Sequence, residues 1–133
     1  MFVDTACALA ILTIYMVKIY DTAKSTLALR KRKRFLLSHL QVPPDCLRAS
    51  LVERFATCGK PNCHCHHGRD KHGPFYYLTQ CLAKGHMQKF LLKTPSQRQQ
   101  AQAAIAAWHA LQEQLEELSQ INAELLRREE PLE

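Results

Sequence analysis

Three of the six cysteines and four of the seven histidines in this 133-residue chain fall between positions 58 and 72. The run reads Cys58-Gly59-Lys60-Pro61-Asn62-Cys63-His64-Cys65-His66-His67, then His72-Gly73-Pro74-Phe75-Tyr76-Tyr77. Thiolate sulfur and neutral imidazole nitrogen are donors of borderline softness, which a tetrahedral zinc ion favours. Gly59, Pro61 and Asn62 suit a tight turn that folds Cys58 back toward Cys63 and Cys65. The spacing therefore predicts a Zn2+ site held by Cys58, Cys63, Cys65 and His72. His64, His66, His67 and Cys81 are rivals for the fourth position. An all-cysteine site with Cys81 would also suit an iron–sulfur cluster, the minor alternative. The bland reading is a set of reduced core cysteines beside a solvated histidine loop, but it needs three cysteines in eight residues by chance.

A closed set of four protein ligands leaves no open position for a metal-bound water. The chain has no Gly-rich phosphate loop, and Asp70 is the only acidic residue between Glu53 and the C-terminal segment. No catalytic residues are assigned, and the expectation is a protein that is not an enzyme.

The motif Cys58-Gly59-Lys60-Pro61-Asn62-Cys63-x-Cys65, with His72-Gly73-Pro74-Phe75-Tyr76-Tyr77-Leu78, resembles a family of small uncharacterised bacterial proteins. A lead-in like Leu51-Val52-Glu53-Arg54-Phe55 and a charged terminal helix belong to the same pattern, and the likeness covers about residues 47 to 128. The resemblance implies a genetic setting beside transposases and mobile elements. It implies no chemistry.

The metal run needs elements to hold it. Leu51–Ala56 reads as a short strand leading into Cys58. Phe75–Leu82 is rich in aromatics and strand formers, Ala83-Lys84-Gly85-His86 reads as a turn, and Met87–Leu92 returns as a second hairpin strand. The expected fold class is α+β: a zinc-ribbon-like three-stranded antiparallel sheet, flanked by an N-terminal helix and a long coiled-coil-like C-terminal helix. Such a sheet would be marginal without its metal. Three segments are expected: a helical leader at 1–44, apolar then basic; the metal knuckle and hairpin at 45–94; and a long amphipathic helix at 95–130.

Thr5 to Val17 is an uncharged, mostly apolar run of 13 residues. A membrane span needs about 20, so a packed helix is the favoured reading. An inner-membrane anchor through residues 2–20 is the alternative, with Arg30–Arg34 on the cytoplasmic side. The segment lacks the charge pattern of a signal peptide, so reduced thiols in the cytoplasm are expected. Val42-Pro43-Pro44 closes the leader.

Thr94, Pro95 and Gln97 form a capping-box start for the last helix. From there Ala101, Ala104, Trp108, Leu111, Leu115, Leu118, Asn122 and Leu125 alternate by threes and fours, a heptad seam. The assigned dimerisation residues are Trp108, Leu111, Leu115, Leu118, Asn122 and Leu125, in a parallel homodimer. The rival reading folds the helix back on the chain's own N-terminal helix.

Charge is sorted along the chain. Residues 1–50 carry eight Lys/Arg against three Asp/Glu, residues 51–94 seven against two, and residues 95–133 three against seven. The basic two-thirds invite a polyanion. The residues assigned to nucleic-acid binding are Arg30, Lys31, Arg32, Lys33, Arg34, Lys71, Tyr76, Lys84 and Lys89. Lysine reaches phosphates, and exposed aromatics stack on unpaired bases. The sequence thus points to a zinc-stabilised nucleic-acid-binding accessory protein with a transposase as possible partner. Its alternative is a protein-assembly adaptor in which the zinc is purely structural.

Overall fold

The computed structural model describes residues 24–68 and 70–133. The apolar run at 5–17, and with it the candidate membrane anchor at 2–20, lies outside the described residues. The elements are α1 (Thr26–His39), β1 (Ser50–Ala56), β2 (His72–Cys81), β3 (Met87–Leu92) and α2 (Pro95–Arg127). Short 3-10 turns fill His64–His66 and Ala83–Gly85. The architecture is α+β, as the sequence pattern predicts. Among the described residues no helix is long and apolar enough to cross a membrane.

The chain forms two compact units: the described residues up to Leu37 with Glu117–Glu133, and Ser38–Glu116. The last helix contributes its first part to one unit and its final part to the other.

In the larger unit the sheet has the order β1-β2-β3, antiparallel throughout, so β2 is central. Tyr76 pairs with Glu53 and Leu92, and Leu78 with Leu51 and Phe90. Leu78, Leu92 and Ala101 are the buried centre of this unit, with Leu47, Ala49, Leu51, Tyr76 and Ile105 packed around them. One face of the sheet therefore lies against α2. The Leu47 amide donates to the Ala104 carbonyl at 3.0 Å, and Arg48 donates to the Cys81 carbonyl at 2.8 Å, which fastens the entry to β1.

β2 starts at His72, three residues before the predicted strand, because Ala56 pairs with His72 across a register shift after Arg54. Gly73 makes this pairing possible. Its φ is +138°, and a Cβ there would meet the Arg54 carbonyl oxygen and a Phe55 ring carbon, each at 3.0 Å. The β2–β3 turn places both Lys84 (φ 62°) and Gly85 (φ 76°) in the left-handed region, and Leu82 closes it by donating to the His86 carbonyl at 2.7 Å.

The start of α2 has the predicted capping box. The Gln97 amide donates to Thr94 Oγ1, and the Thr94 amide donates to Gln97 Oε1, both at 3.2 Å. Such reciprocal bonds satisfy amides that the first helical turn leaves unpaired. The helix ends at Arg127, short of the expected residue 130. Glu129 takes φ 59°, the Glu129 amide donates to the Leu126 carbonyl and the Glu130 amide to the Leu125 carbonyl, both at 2.9 Å. This is a Schellman ending with glutamate in the place usually held by glycine.

The smaller unit is built on Leu29, Leu36, Ile121 and Leu125, with Leu118 packed against them. Ser25 caps α1, its Oγ accepting from the Ala28 amide at 3.2 Å. Glu124 accepts from Arg127 and Arg128, each at 2.6 Å. These hydrogen bonds, Arg127 foremost, hold the Glu124 carboxyl down at about 2, against an ordinary 4.5. A carboxyl depressed on folding stabilises above its unfolded value and loses that contribution as pH falls through its folded value. Glu124→Gln is therefore expected to lower thermal stability at neutral pH and to flatten the profile between pH 4.5 and about 2, with parent and variant converging at the acid end.

Candidate metal centre and basic surfaces

The four sequence-selected donors come together at the end of the sheet where β1 leaves and β2 begins. Cys58 follows β1, Cys63 and Cys65 lie on the loop, and His72 is the first residue of β2. The Cys63 amide donates to the Lys60 carbonyl at 3.1 Å, closing the Lys-Pro-Asn turn, and the His66 amide donates to the Cys63 carbonyl at 3.1 Å. These two turns aim all three sulfurs inward.

The donor atoms of Cys58, Cys63, Cys65 and His72 all lie within 4.8 Å of one another. Cys58 Sγ is 3.6 Å from Cys65 Sγ, and Cys63 Sγ is 3.2 Å from His72 Nε2. Tetrahedral zinc with bonds of about 2.3 Å to sulfur and 2.0–2.1 Å to nitrogen needs donor separations of roughly 3.6–3.8 Å. The residues present fit such an ion.

Electrostatics favour a cation here. A hydrogen bond from the Cys65 backbone, and then one from His72, hold the Cys63 thiol down at about 6. Burial pushes the Cys65 thiol up, and the adjacent Cys58 sulfur adds to this. Cys65 is only 3% exposed. An ion bound between them would relieve that penalty by neutralising the thiolate it coordinates.

The rival ligands take other places. His66 Nε2 donates to the Cys58 carbonyl at 2.7 Å, a bond that supports the ligand loop from outside. His64 sits edge-on to His72, with ring centroids 5.4 Å apart. The Cys81 thiol donates to the Leu82 carbonyl at 3.7 Å, in the β2–β3 turn. A shallow cavity beside the centre is lined by Ala56, Thr57, Lys60 and Phe75 together with Cys58, Cys63 and His72.

The basic residues divide. Arg30 donates to the Glu130 carboxylate at 3.2 Å and to the Pro131 carbonyl at 3.0 Å, and also to the Glu133 carbonyl. Arg32 grips Glu117 with two bonds of 2.6 and 2.7 Å. Lys33 donates to the Leu132 carbonyl. Three of the five residues expected to form a phosphate-binding stripe are thus engaged by the chain's own C-terminal region. Lys31 and Arg34 are exposed, as are Lys71, Lys84 and Lys89.

Tyr76, assigned to nucleic-acid binding from the sequence, is half-buried and packs against the core that holds Leu78, with the Arg98 guanidinium 4.2 Å from its ring centroid. The neighbouring Tyr77 points to the other face, with Lys89 Nζ 4.4 Å from its ring centroid. A register one residue off places the wrong tyrosine outside.

The dimerisation seam is also divided. Leu118 and Leu125 belong to the core that α2 makes with α1, so their apolar surface is used within the chain. Leu111 is buried, Trp108 half-buried, and Leu115 is 45% exposed. Asn122 Oδ1 is buried with no hydrogen-bond partner among the described residues.

The fold and site define a small α+β protein organised around a Cys3His centre. Residues 27–84 match a family described as a domain of unknown function (DUF6788). The match runs from α1 to the β2–β3 turn and takes in all four donors. It begins some way before the residue 47 at which the sequence motif suggests the likeness starts, and it stops before β3. No curated protein and no solved structure matches the chain.

Proposed function

We propose that the protein is a zinc-stabilised, non-enzymatic nucleic-acid-binding accessory protein that works beside mobile-element machinery. The observation that carries this reading is the Cys3His donor set, fixed at the end of a sheet whose surroundings carry Lys60, Lys71, Lys84, Lys89 and Lys93. Zinc is preferred to an iron–sulfur cluster because one of the four donors is an imidazole. With four protein ligands the ion's work is to hold the β1–β2 end of the sheet together. Clustered lysines then supply affinity for phosphates by releasing counterions. The mobile-element setting rests on the sequence motif alone.

The test is the affinity of zinc-loaded protein for DNA and RNA across a salt series. Affinity is expected to fall steeply with salt. Lys31→Gln with Arg34→Gln should weaken binding to all sequences about equally and flatten the salt slope by about two phosphate contacts. A protein that binds neither DNA nor RNA at physiological salt would overturn the reading.

A second reading, the assembly adaptor, is favoured by the engagement of Arg30, Arg32 and Lys33 within the chain. It is also favoured by the apolar residues α1 leaves open, among them Leu27 and Leu37, 59% and 50% exposed. In it the zinc is purely structural and the helices recruit a protein such as a transposase. A homodimer through the exposed part of the α2 seam is compatible with both.

A further inference from the structure

The strands sort their side chains by face. On the side away from α2, three cross-strand rows follow one another: Arg54–Phe75, Val52–Tyr77–Leu91 and Ser50–Thr79–Lys89. The middle row is apolar and open, with Val52 40% and Leu91 38% exposed. Arg54 and Lys89 are exposed in the rows on either side. Glu53 is the one carboxylate in the three strands, and it pairs with Tyr76 on the opposite face. Among the described residues neither Arg54 nor Lys89 forms an ion pair.

A flat apolar surface with cations beside it and no anion asks for a ligand of matching character. Nucleobases have flat, apolar faces and are joined by phosphates, so a nucleic acid supplies both halves of the match. Double-stranded DNA hides its base faces in the stack and offers only groove edges and backbone. A single strand offers the faces themselves, and aromatic side chains on an open sheet stack on them. Phe75 and Tyr77 are two residues apart on the central strand, about 7 Å, so each can take one of two successive splayed bases. The Lys89 ammonium held over one face of Tyr77 leaves the phenol ring backed by positive charge. Phe75 also lines the cavity that Cys58, Cys63 and His72 share, which places the open end of this surface beside the donor set.

We infer that the outer face of the sheet, centred on Tyr77 and Phe75 and flanked by Arg54 and Lys89, binds single-stranded nucleic acid by base stacking. This rests on the nucleic-acid reading above and moves its centre from the basic run of α1 to the sheet. Arg54, Val52, Phe75 and Leu91 enter the site through register and were not among the residues assigned from sequence.

The experiment uses the full zinc-loaded chain, a fluorescein-labelled single-stranded oligothymidine and a mixed-sequence duplex. Tyr77→Leu keeps an apolar side chain and removes the aromatic face. It is expected to weaken single-strand binding roughly five- to one-hundred-fold, with duplex binding unchanged. Tyr77→Phe should bind as the parent does. Arg54→Gln with Lys89→Gln should lower affinity and reduce the salt slope by about 1.4 for a single strand. Zinc content and circular dichroism of each variant check the fold, and should Tyr77→Leu fail that check, the Arg54/Lys89 pair carries the decision. If the parent binds but neither Tyr77→Leu nor the charge pair changes the single-strand affinity, the inference falls and the nucleic-acid reading stands. If the parent binds neither probe at low salt, both fall. If Tyr77→Leu abolishes self-association and leaves oligothymidine binding untouched, the face is an interface between copies, which also overturns the inference.

Discussion

Cys65→Ser is expected to abolish metal binding and to unfold the unit formed by Ser38–Glu116. Cys65 is the buried member of the donor set, its sulfur 3.6 Å from that of Cys58, and the Cys58 amide also donates to it at 3.4 Å. Serine oxygen is a poor zinc ligand at neutral pH and would sit in the same dry position without its ion. Around it there is little to fall back on, since the buried centre of the unit is the small cluster Leu78, Leu92 and Ala101, with Leu111 buried besides. A structural zinc contributes on the order of 10 kcal/mol to folding, more than such a core can replace. The parent protein should carry about one zinc per chain, and Cys63→Ser should behave like Cys65→Ser. Metal analysis with thermal melts decides the matter, because a metal-free protein with an intact cooperative melt would refute it.

The same centre sets an acid limit. The Cys63 thiol is held at about 6 in the fold, against an ordinary 9.0. A group depressed on folding stabilises above its unfolded value and loses that contribution as pH falls through its folded one. Protons compete with a metal for the thiolates, so zinc affinity is expected to fall as pH falls, which a metal-retention assay across pH checks.

Leu125→Ala should cost about 2–5 kcal/mol, and Leu115→Ala less than about 1 kcal/mol. Both leucines lie on α2 in one heptad pattern, yet Leu125 is 0% exposed and Leu115 is 45% exposed. Leu125 shares its core with Leu29, Leu36 and Ile121, so truncation opens a cavity in a cluster too small to close over it. Denaturant melts measure the contrast. Light scattering on the same samples separates two uses of Leu115. If the protein is a homodimer through this part of the seam, Leu115→Asp yields monomers; if the parent is monomeric at high concentration, the seam serves α1 alone.

Local signals made much of the fold legible. The sheet was readable from alternation and from the Ala-Lys-Gly-His turn, and the start of α2 from Thr94 and Gln97, whose side chains act within one turn of the helix. The donor set was readable because thiols and imidazoles at short spacing have few other uses. What stayed hidden depends on distance along the chain or on register. The partners of Arg30 and Lys33 lie about a hundred residues away, so a basic run reads as free when it is engaged. Leu118 and Leu125 read as a seam for a second copy because periodicity shows that a face is apolar and not what covers it. Tyr76 and Tyr77 are adjacent and chemically alike, and only the packing of Tyr76 against Leu78 and Leu92 shows which one faces α2. The early start of β2 was missed because Gly-Pro reads as a break, whereas here glycine allows the close approach to Arg54.

Leu29 on α1 meets Leu125 near the end of α2, with almost the whole described chain between them. The consequence is one of timing. As the chain emerges from a ribosome, α1 appears well before its apolar partners Ile121 and Leu125. During that interval the apolar stripe of Leu29 and Leu36 has no Ile121 or Leu125 to cover it, while the strands of the sheet are near neighbours in sequence. Long-range contacts of this kind form slowly and leave sticky surface waiting. Chaperone binding at α1 is therefore expected to end once the last turns of α2 are made.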